Sequence, residues 1–192
     1  TEAAGVRDSG WGWGAFFWDV DNDGDLDALN GNGMDDPETT DDDWAARQKM
    51  RLYINEGAEN EFAMVEKASE YGIDDENENR GAMAGDYDND GDLDVFVVNH
   101  GGPPSLYRND GGNYYDFLRV KVYEDNGRDS IGARVTVDVR PPTPGDNNAP
   151  PLVRIISNKA AFLGQSESAA HFGLGKEGLK EVWRVTVKWP KL

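Results

Sequence analysis

The sequence predicts an all-β protein built of two kinds of part: a pair of repeated, blade-like units and a different β domain behind them. Three observations predict it. Residues 1–112 carry the same pattern of short segments twice. Within the second copy, Leu93-Asp94-Val95-Phe96-Val97-Val98 is an apolar, β-branched run that follows a turn. Beyond residue 112, Arg134-Val135-Thr136-Val137-Asp138-Val139 and Val185-Thr186-Val187-Lys188-Trp189 alternate with a period of two, the signature of sheets with one wet face.

The repeat is legible residue by residue. A shift of 67 places Gly5 on Gly72, Val6 on Ile73, Gly14-Ala15 on Gly81-Ala82, Asp19–Asp27 on Asp86–Asp94 and Asn32 on Asn99. At Leu52 the shift becomes 54, and Leu52-Tyr53-Ile54-Asn55-Glu56-Gly57 falls on Leu106-Tyr107-Arg108-Asn109-Asp110-Gly111. The first copy therefore holds 13 extra residues between Gly33 and Met50. Within them, Thr40 is placed to cap a short helix running through Lys49, with Asp41, Asp42 and Asp43 at its positive end and basic residues near its C-terminus. The unalternating run at 93–98 predicts a strand buried on both faces, as in stacked sheets. Repeats of this length with four short strands predict propeller-like blades, at 1–67 and 68–112.

After Gly112 the pattern changes, and 113–192 reads as a β-sandwich-like domain. Strands are expected at 117–122, 131–139, 152–156 and 182–189. The segment from Pro141 to Pro151 contains five prolines and is expected to be an exposed loop.

Composition narrows the partners. Lys and Arg total 19 against 37 Asp and Glu, a formal charge of −18. Such a chain repels nucleic acid and anionic membranes and suits divalent cations. Six Trp, seven Tyr and seven Phe supply a core and argue against acidic disorder. There is no Cys, so disulfides and thiolate metal sites are excluded. No stretch approaches the roughly 20 apolar residues of a membrane span. Residue 1 is Thr rather than Met, so the chain reads as mature or as a fragment.

The chemistry lies in the two repeated turns, each reading Asp-x-Asp-x-Asp-Gly-Asp-Leu-Asp. Calcium takes six to eight hard oxygen ligands, and carboxylates at alternate positions of a tight turn converge on one point. Asp19, Asp21 and Asp23 would give side chains, Gly24 the sharp turn, Asp25 its backbone carbonyl, and Asp27 would close the shell. In the second loop the same roles fall to Asp86, Asp88, Asp90, the carbonyl of Asp92, and Asp94. An EF-hand would need Glu at its twelfth position, where Asn30 and Val97 stand. Leu26 and Leu93 are expected to anchor the loops in the core. The plain alternative is an acidic surface turn, but carboxylates this close repel unless a cation joins them. Magnesium rarely uses an all-protein cage. The expectation is two Ca²⁺ per chain.

These residues carry a resemblance. Residues 1–112 resemble two repeats of the FG-GAP/VCBS class, the calcium-loop blades of integrin α-chain propellers and of many bacterial surface proteins. The calcium loops and the Leu-Tyr-x-Asn segments at 52–55 and 106–109 carry it; Gly14-Ala15-Phe16 and Gly81-Ala82-Met83 lack the proline of that motif. Residues 113–192 resemble the ASPIC/UnbV domain at Asn113, Phe117–Val120, Ile131–Val135, Gln165-Ser166, His171–Gly175 and Val187–Pro190. The resemblance implies an extracellular or cell-surface protein of adhesion or matrix, without an established catalytic role.

Other residues have readings of their own. His171 is placed to act as a base or to serve as a structural residue in a strand-ending turn, and the second is favoured because no nucleophile is linked to it. His100 reads as a solvated turn residue. Trp11, Trp13, Phe16, Phe17 and Trp18 would either stack on sugar rings or fill a core, and the core is the commoner use. Asp41–Asp43 and Asp74-Asp75-Glu76 are weak third cation sites or solvated faces. Two copies are fewer than a closed propeller needs, and the first starts in mid-pattern. Open sheet edges are therefore expected to recruit other chains, as a homo-oligomer or a filament. Three functional classes follow: calcium-dependent structural or adhesive work, a subunit of a self-assembling extracellular filament, or a polysaccharide-binding or polysaccharide-acting protein with structural calcium. No enzyme activity is expected.

Overall fold

Each copy of the repeat folds around its Asp-rich turn. In the first, Ala15–Trp18 (β1) and Asp27–Asn30 (β2) pair antiparallel, with Phe16 opposite Leu29 and Phe17 opposite Ala28. Arg51–Asn55 (β3) pairs with β2, and Met64–Glu66 (β4) with β3, giving a four-stranded antiparallel meander. In the second copy Asn79–Gly85 (β5), Asp94–Asn99 (β6) and Ser105–Tyr107 (β7) form a sheet of three strands in that order, not the four expected. The reason is local. Beyond Tyr107 the chain turns through Gly111 and a single 3-10 turn at Gly112–Tyr114, and the next strand, Asp116–Val120 (β8), takes a partner elsewhere.

The computed structural model describes residues 4–6, 9–34, 48–140, 150–159, 161–175 and 181–190. The helix expected from Thr40 to Lys49, and with it Asp41–Asp43, lies almost wholly outside the described residues, as does most of the 141–151 loop. Among the described residues helix is limited to single 3-10 turns such as Ala58–Asn60, so the chain is all-β with open sheets.

Alternation decides which faces meet. Phe16, Trp18, Leu29, Leu52 and Ile54 project from one face of the first sheet into a core shared with Ala82, Val95 and Val97 of the second. Leu29 and Leu52 are 1% and 0% exposed, and each fully buried side chain of this size contributes roughly 1.5–3 kcal/mol. Strand β6 departs from expectation. Val95 and Val97 are buried, but on the opposite face Phe96 is half-buried and Val98 is 44% exposed, so the strand is fully covered on one face only. Its continuous apolar run reports a partly covered apolar face rather than two buried ones.

Behind the repeats, Arg134–Arg140 (β9), Leu152–Ile155 (β10) and Glu181–Lys188 (β12) form a sheet in the order β10-β9-β12. Strand β9 alternates as its sequence promised, with Val135, Val137 and Val139 buried. Ala170–Gly175 (β11) pairs antiparallel with β8 as a separate two-stranded sheet. The two sheets share a second core around Phe172, Ile156 and Ala133. Strand β11 corrects the turn expected at His171. His-Phe-Gly-Leu-Gly is a strand buried along its whole length. It reads as a turn because of its glycines, and Gly173 permits the close approach of the Asn22 backbone.

Candidate metal centres

The turn between β1 and β2 is held by its own carboxylates. Gly24 sits at φ 101, a left-handed conformation that glycine adopts without strain, and Gly91 repeats it at φ 101. In the first loop the Asp23 N–H donates to Asp21 Oδ1 at 3.3 Å and the Asp25 N–H to Asp23 Oδ1 at 2.8 Å. Asp27 accepts the N–H groups of Val20 and Asn55, both at 2.9 Å. In the second loop Asp94 accepts those of Tyr87 at 3.0 Å and Asn109 at 2.9 Å. These donors occupy corresponding places: Val20 maps to Tyr87 at the shift of 67, and Asn55 to Asn109 at the shift of 54. The break in sequence register is thus absorbed without changing how the last Asp of each loop is held.

Each loop gathers three carboxylates. Oxygens of Asp19, Asp21 and Asp27 all lie within 4.8 Å of one another, as do those of Asp86, Asp88 and Asp94. Asp19 and Asp27 are 2% and 1% exposed, and Asp94 is 2% exposed. Asp23 and Asp90, also expected as ligands, fall outside these two triplets but close enough for their charges to raise Asp19, Asp21 and Asp94. Asp23 caps the Asp25 N–H, and Asp90 accepts both the Asp92 N–H at 3.3 Å and the Asn113 side-chain N–H at 2.7 Å. Asp25 and Asp92 were expected to serve through backbone carbonyls. The Asp92 side chain is itself buried, with Oδ2 accepting the Asn113 N–H at 3.1 Å and Oδ1 lacking a hydrogen-bond partner. Leu93 lies in the core as expected, whereas Leu26 is only half-buried.

Burial and mutual repulsion set the charge of these groups. Burial above all, with neighbouring carboxylates adding, pushes Asp19 up to about 6 and Asp27 up to about 8. Asp92 rises to about 7 for the same reasons, and Asp21 and Asp94 are raised as well. Buried carboxylates that hold protons this strongly are groups that a cation would relieve. Their donor atoms are hard oxygens, suited to calcium or magnesium and poorly suited to softer metals. The clusters therefore fit a divalent cation by chemistry and by spacing.

Sequence reasoning missed what lies behind the loops. Arg154 of β10 places Nη2 3.5 Å from Asp19 Oδ2 and donates to the Gly24 carbonyl at 3.2 Å. Arg119 of β8 lies 3.3 Å from Asp86 Oδ2 and also pairs with Glu167. The first Asp of each loop thus meets an arginine from the C-terminal sheets. The Gly173 N–H donates to Asp19 Oδ2 at 2.9 Å. Asn22 is fully buried at the centre of the contact. Its amide donates to the carbonyls of Gly91 and Gly112, both at 3.0 Å, and its side-chain oxygen accepts from His171 Nε2. The Asn22 carbonyl also accepts the Gly175 N–H at 2.8 Å. The one signal in the sequence was Asn22 itself, an uncharged polar residue inside an acidic turn.

The remaining candidates divide. His100 stands on the surface with Nδ1 2.9 Å from Glu78, while His171 is 7% exposed and stacked on Phe117 at 5.6 Å. Phe16 and Trp18 are core residues; Trp13 packs on Phe162 and Arg80; Trp11 and Phe17 are 45% and 66% exposed. The aromatic cluster is therefore split between core and surface. Asp74 bonds Ser69 and Lys49, and Asp75 bonds Tyr107 and Asn79, so both carboxylates serve local structure. No helix among the described residues is long and apolar enough to cross a membrane.

Comparison with known proteins gives two kinds of likeness. Over 114 residues, 57% of this chain, the sequence is 32% identical to cartilage acidic protein 1 of Homo sapiens and of Mus musculus. It is 31% identical to cartilage acidic protein 1 of Xenopus tropicalis over the same length. The matched segment spans 16% of the length of each of these relatives. Residues 123–192, which contribute β9 to β12 and with them Arg154, His171 and Gly173, match the family described as ASPIC and UnbV.

Proposed function

We propose that this chain is an extracellular calcium-binding structural or adhesive module. Two Ca²⁺ ions, one per Asp-rich loop, rigidify a pair of FG-GAP/VCBS-like, propeller-blade-like units and seat the C-terminal domain upon them. The observation that carries this reading is the duplicated carboxylate group, Asp19/Asp21/Asp27 and Asp86/Asp88/Asp94, in matching places on two sheets. A solvated acidic face has no need to bury its carboxylates at the cost of forcing protons onto them. When bound, calcium would supply the charge that these protons supply in its absence. Asp19, Asp21 and Asp27, with their counterparts, would hold it.

The extracellular placement is supported by the likeness to proteins named for cartilage; with no Cys in the chain, calcium is the available staple. The reading includes no catalytic step. His171 is walled in by Asn22 and Phe117, and His100 is tied to Glu78 on the surface. Isothermal titration of the chelator-treated protein tests the proposal. Two calcium ions per chain, with magnesium bound much more weakly, are expected. One ion or none would refute it.

A further inference from the structure

The repeat relates not only segments but faces. On the first sheet Phe16, Leu29 and Leu52 share one face and are 9%, 1% and 0% exposed. They pack on the opposite face of the second sheet, where Ala82, Val95 and Val97 stand, with Ala84 and Tyr107 at the margin. The two sheets are therefore stacked front to back rather than front to front. The shifts of 67 and 54 carry Phe16, Leu29 and Leu52 onto Met83, Phe96 and Leu106. Those three are cross-strand neighbours in one row of the second sheet. Leu106 is 51% exposed, and Val98 on the same face is 44% exposed. Met83 and Phe96 are half-buried beside Gln165–Glu167, so positions that are sealed in the first copy are only partly covered in the second.

What would seal them follows from the same relation. The front of the first sheet is covered by the back of a sheet of its own kind, so the front of the second sheet has the shape and chemistry to receive such a back. The molecule displays one. Ala15, Phe17 and Ala28 hold in the first sheet the places of Ala82, Ala84 and Val95. Phe17 is 66% exposed and lines, with Ile155, itself 62% exposed, a cavity of about 390 Å³. Tyr53, at the place of Tyr107, is already buried by its own chain, so the receiving surface is the β1–β2 half of the sheet.

We infer that the face of Met83, Phe96, Val98 and Leu106 docks a second copy of this chain through the back of its first sheet, at Phe17. The contact repeats between molecules the stacking that holds the two sheets together within one. It is head-to-tail: each copy offers a front and a back, so association does not stop at two. The charge of −18 opposes it at long range, and salt that screens this repulsion strengthens an apolar contact.

Sedimentation velocity on the calcium-saturated protein tests this. The wild type is expected to associate beyond a dimer as concentration rises, and more so at higher salt. Leu106→Glu removes the front and Phe17→Glu the back, and each variant alone is expected to stay monomeric. Mixed in equal amounts, they retain one front and one back between them and should form a one-to-one dimer and nothing larger. A wild type that stays monomeric at high-micromolar concentration overturns the proposal, as does a Phe17→Glu variant that still pairs with itself. Near-ultraviolet circular dichroism and calcium stoichiometry on the same samples separate loss of this contact from loss of fold or of the calcium loops.

Discussion

The Nε2–H of His171 donates to the side-chain oxygen of Asn22 at 2.6 Å, across 149 residues of sequence. The same Asn22 amide holds the carbonyls of Gly91, in the second loop, and Gly112, beyond β7. One short side chain therefore joins both Asp-rich loops to the C-terminal sheets. Asn22→Ala strands three buried partners. The cost is about 3 kcal/mol or more at roughly 1–3 kcal/mol per unsatisfied group. For a chain of this size that is a drop in Tm of about 6–12 °C. A melting curve of the calcium-saturated variant that overlays the wild type would show that the contact is not a structural joint.

Calcium removal should be felt by the whole molecule. An ion held at 100 times its Kd adds about 2.7 kcal/mol per site, so two sites add about 5 kcal/mol and roughly 10–20 °C in Tm. Asp21→Ala and Asp88→Ala remove one carboxylate from each group, and each is expected to lower the stoichiometry from two to one. Unchanged melting in excess chelator would refute a structural role for the ion.

The chelated protein should respond to pH in an unusual direction. Asp19, Asp92 and Asp27 hold their protons up to about 6, 7 and 8, whereas in the unfolded chain they release them near the ordinary carboxylate value of 3.8. A raised carboxylate contributes stability that is fully present below the unfolded value and is lost as pH rises through the folded one. The calcium-free Tm should therefore fall between pH 5 and pH 8, over the span of those folded values. The increment given by calcium should grow over the same interval. Melting with and without chelator at several pH values measures both, and a calcium-free Tm that rises with pH contradicts the burial of these groups.

His171 pulls the other way. Its burial, with Arg119 and Arg154 adding repulsion, holds it down at about 4 against an ordinary 6.5. The unfolded chain takes up a proton that the folded chain refuses, so stability is lost as pH falls from 6.5 through 4. The contribution reaches about 3 kcal/mol at the acid end. His171→Gln keeps a donor for Asn22 and removes the titration. Denaturant unfolding of the two proteins, each saturated with calcium, should therefore differ less at pH 4.5 than at pH 7 in favour of the wild type. An identical acid dependence in both would exclude His171 as its source.

What could be read from the sequence was what repeats. Asp19–Asp27 and Asp86–Asp94 announced two loops, each between two strands, and Val135, Val137 and Val139 announced β9 by alternation. Which carboxylates converge was only partly legible. Asp23 and Asp90 occupy ligand-like places in the pattern, and each also accepts an N–H of its own turn. Strand β11 was hidden because its glycines answer a contact from Asn22 that no local rule contains. Arg119 and Arg154 were hidden for the same reason. Their roles are set by an acidic partner 33 and 135 residues away, and nothing in their own neighbourhoods marks them.

The approach of β11 to the first loop has a consequence for inheritance. A β-carbon at Gly173 would collide with the backbone of Asn22, and the Gly173 N–H needs Asp19 as its acceptor. The C-terminal segment is therefore not a free cassette that recombination can append to any pair of acidic repeats. A chimera joined near residue 113 must bring together a glycine on one parent and a buried amide with an accepting carboxylate on the other. Lineages that exchange this segment should exchange the loop around Asn22 with it. A viable crossover point is then upstream of β1, far from the place where the sequence pattern changes.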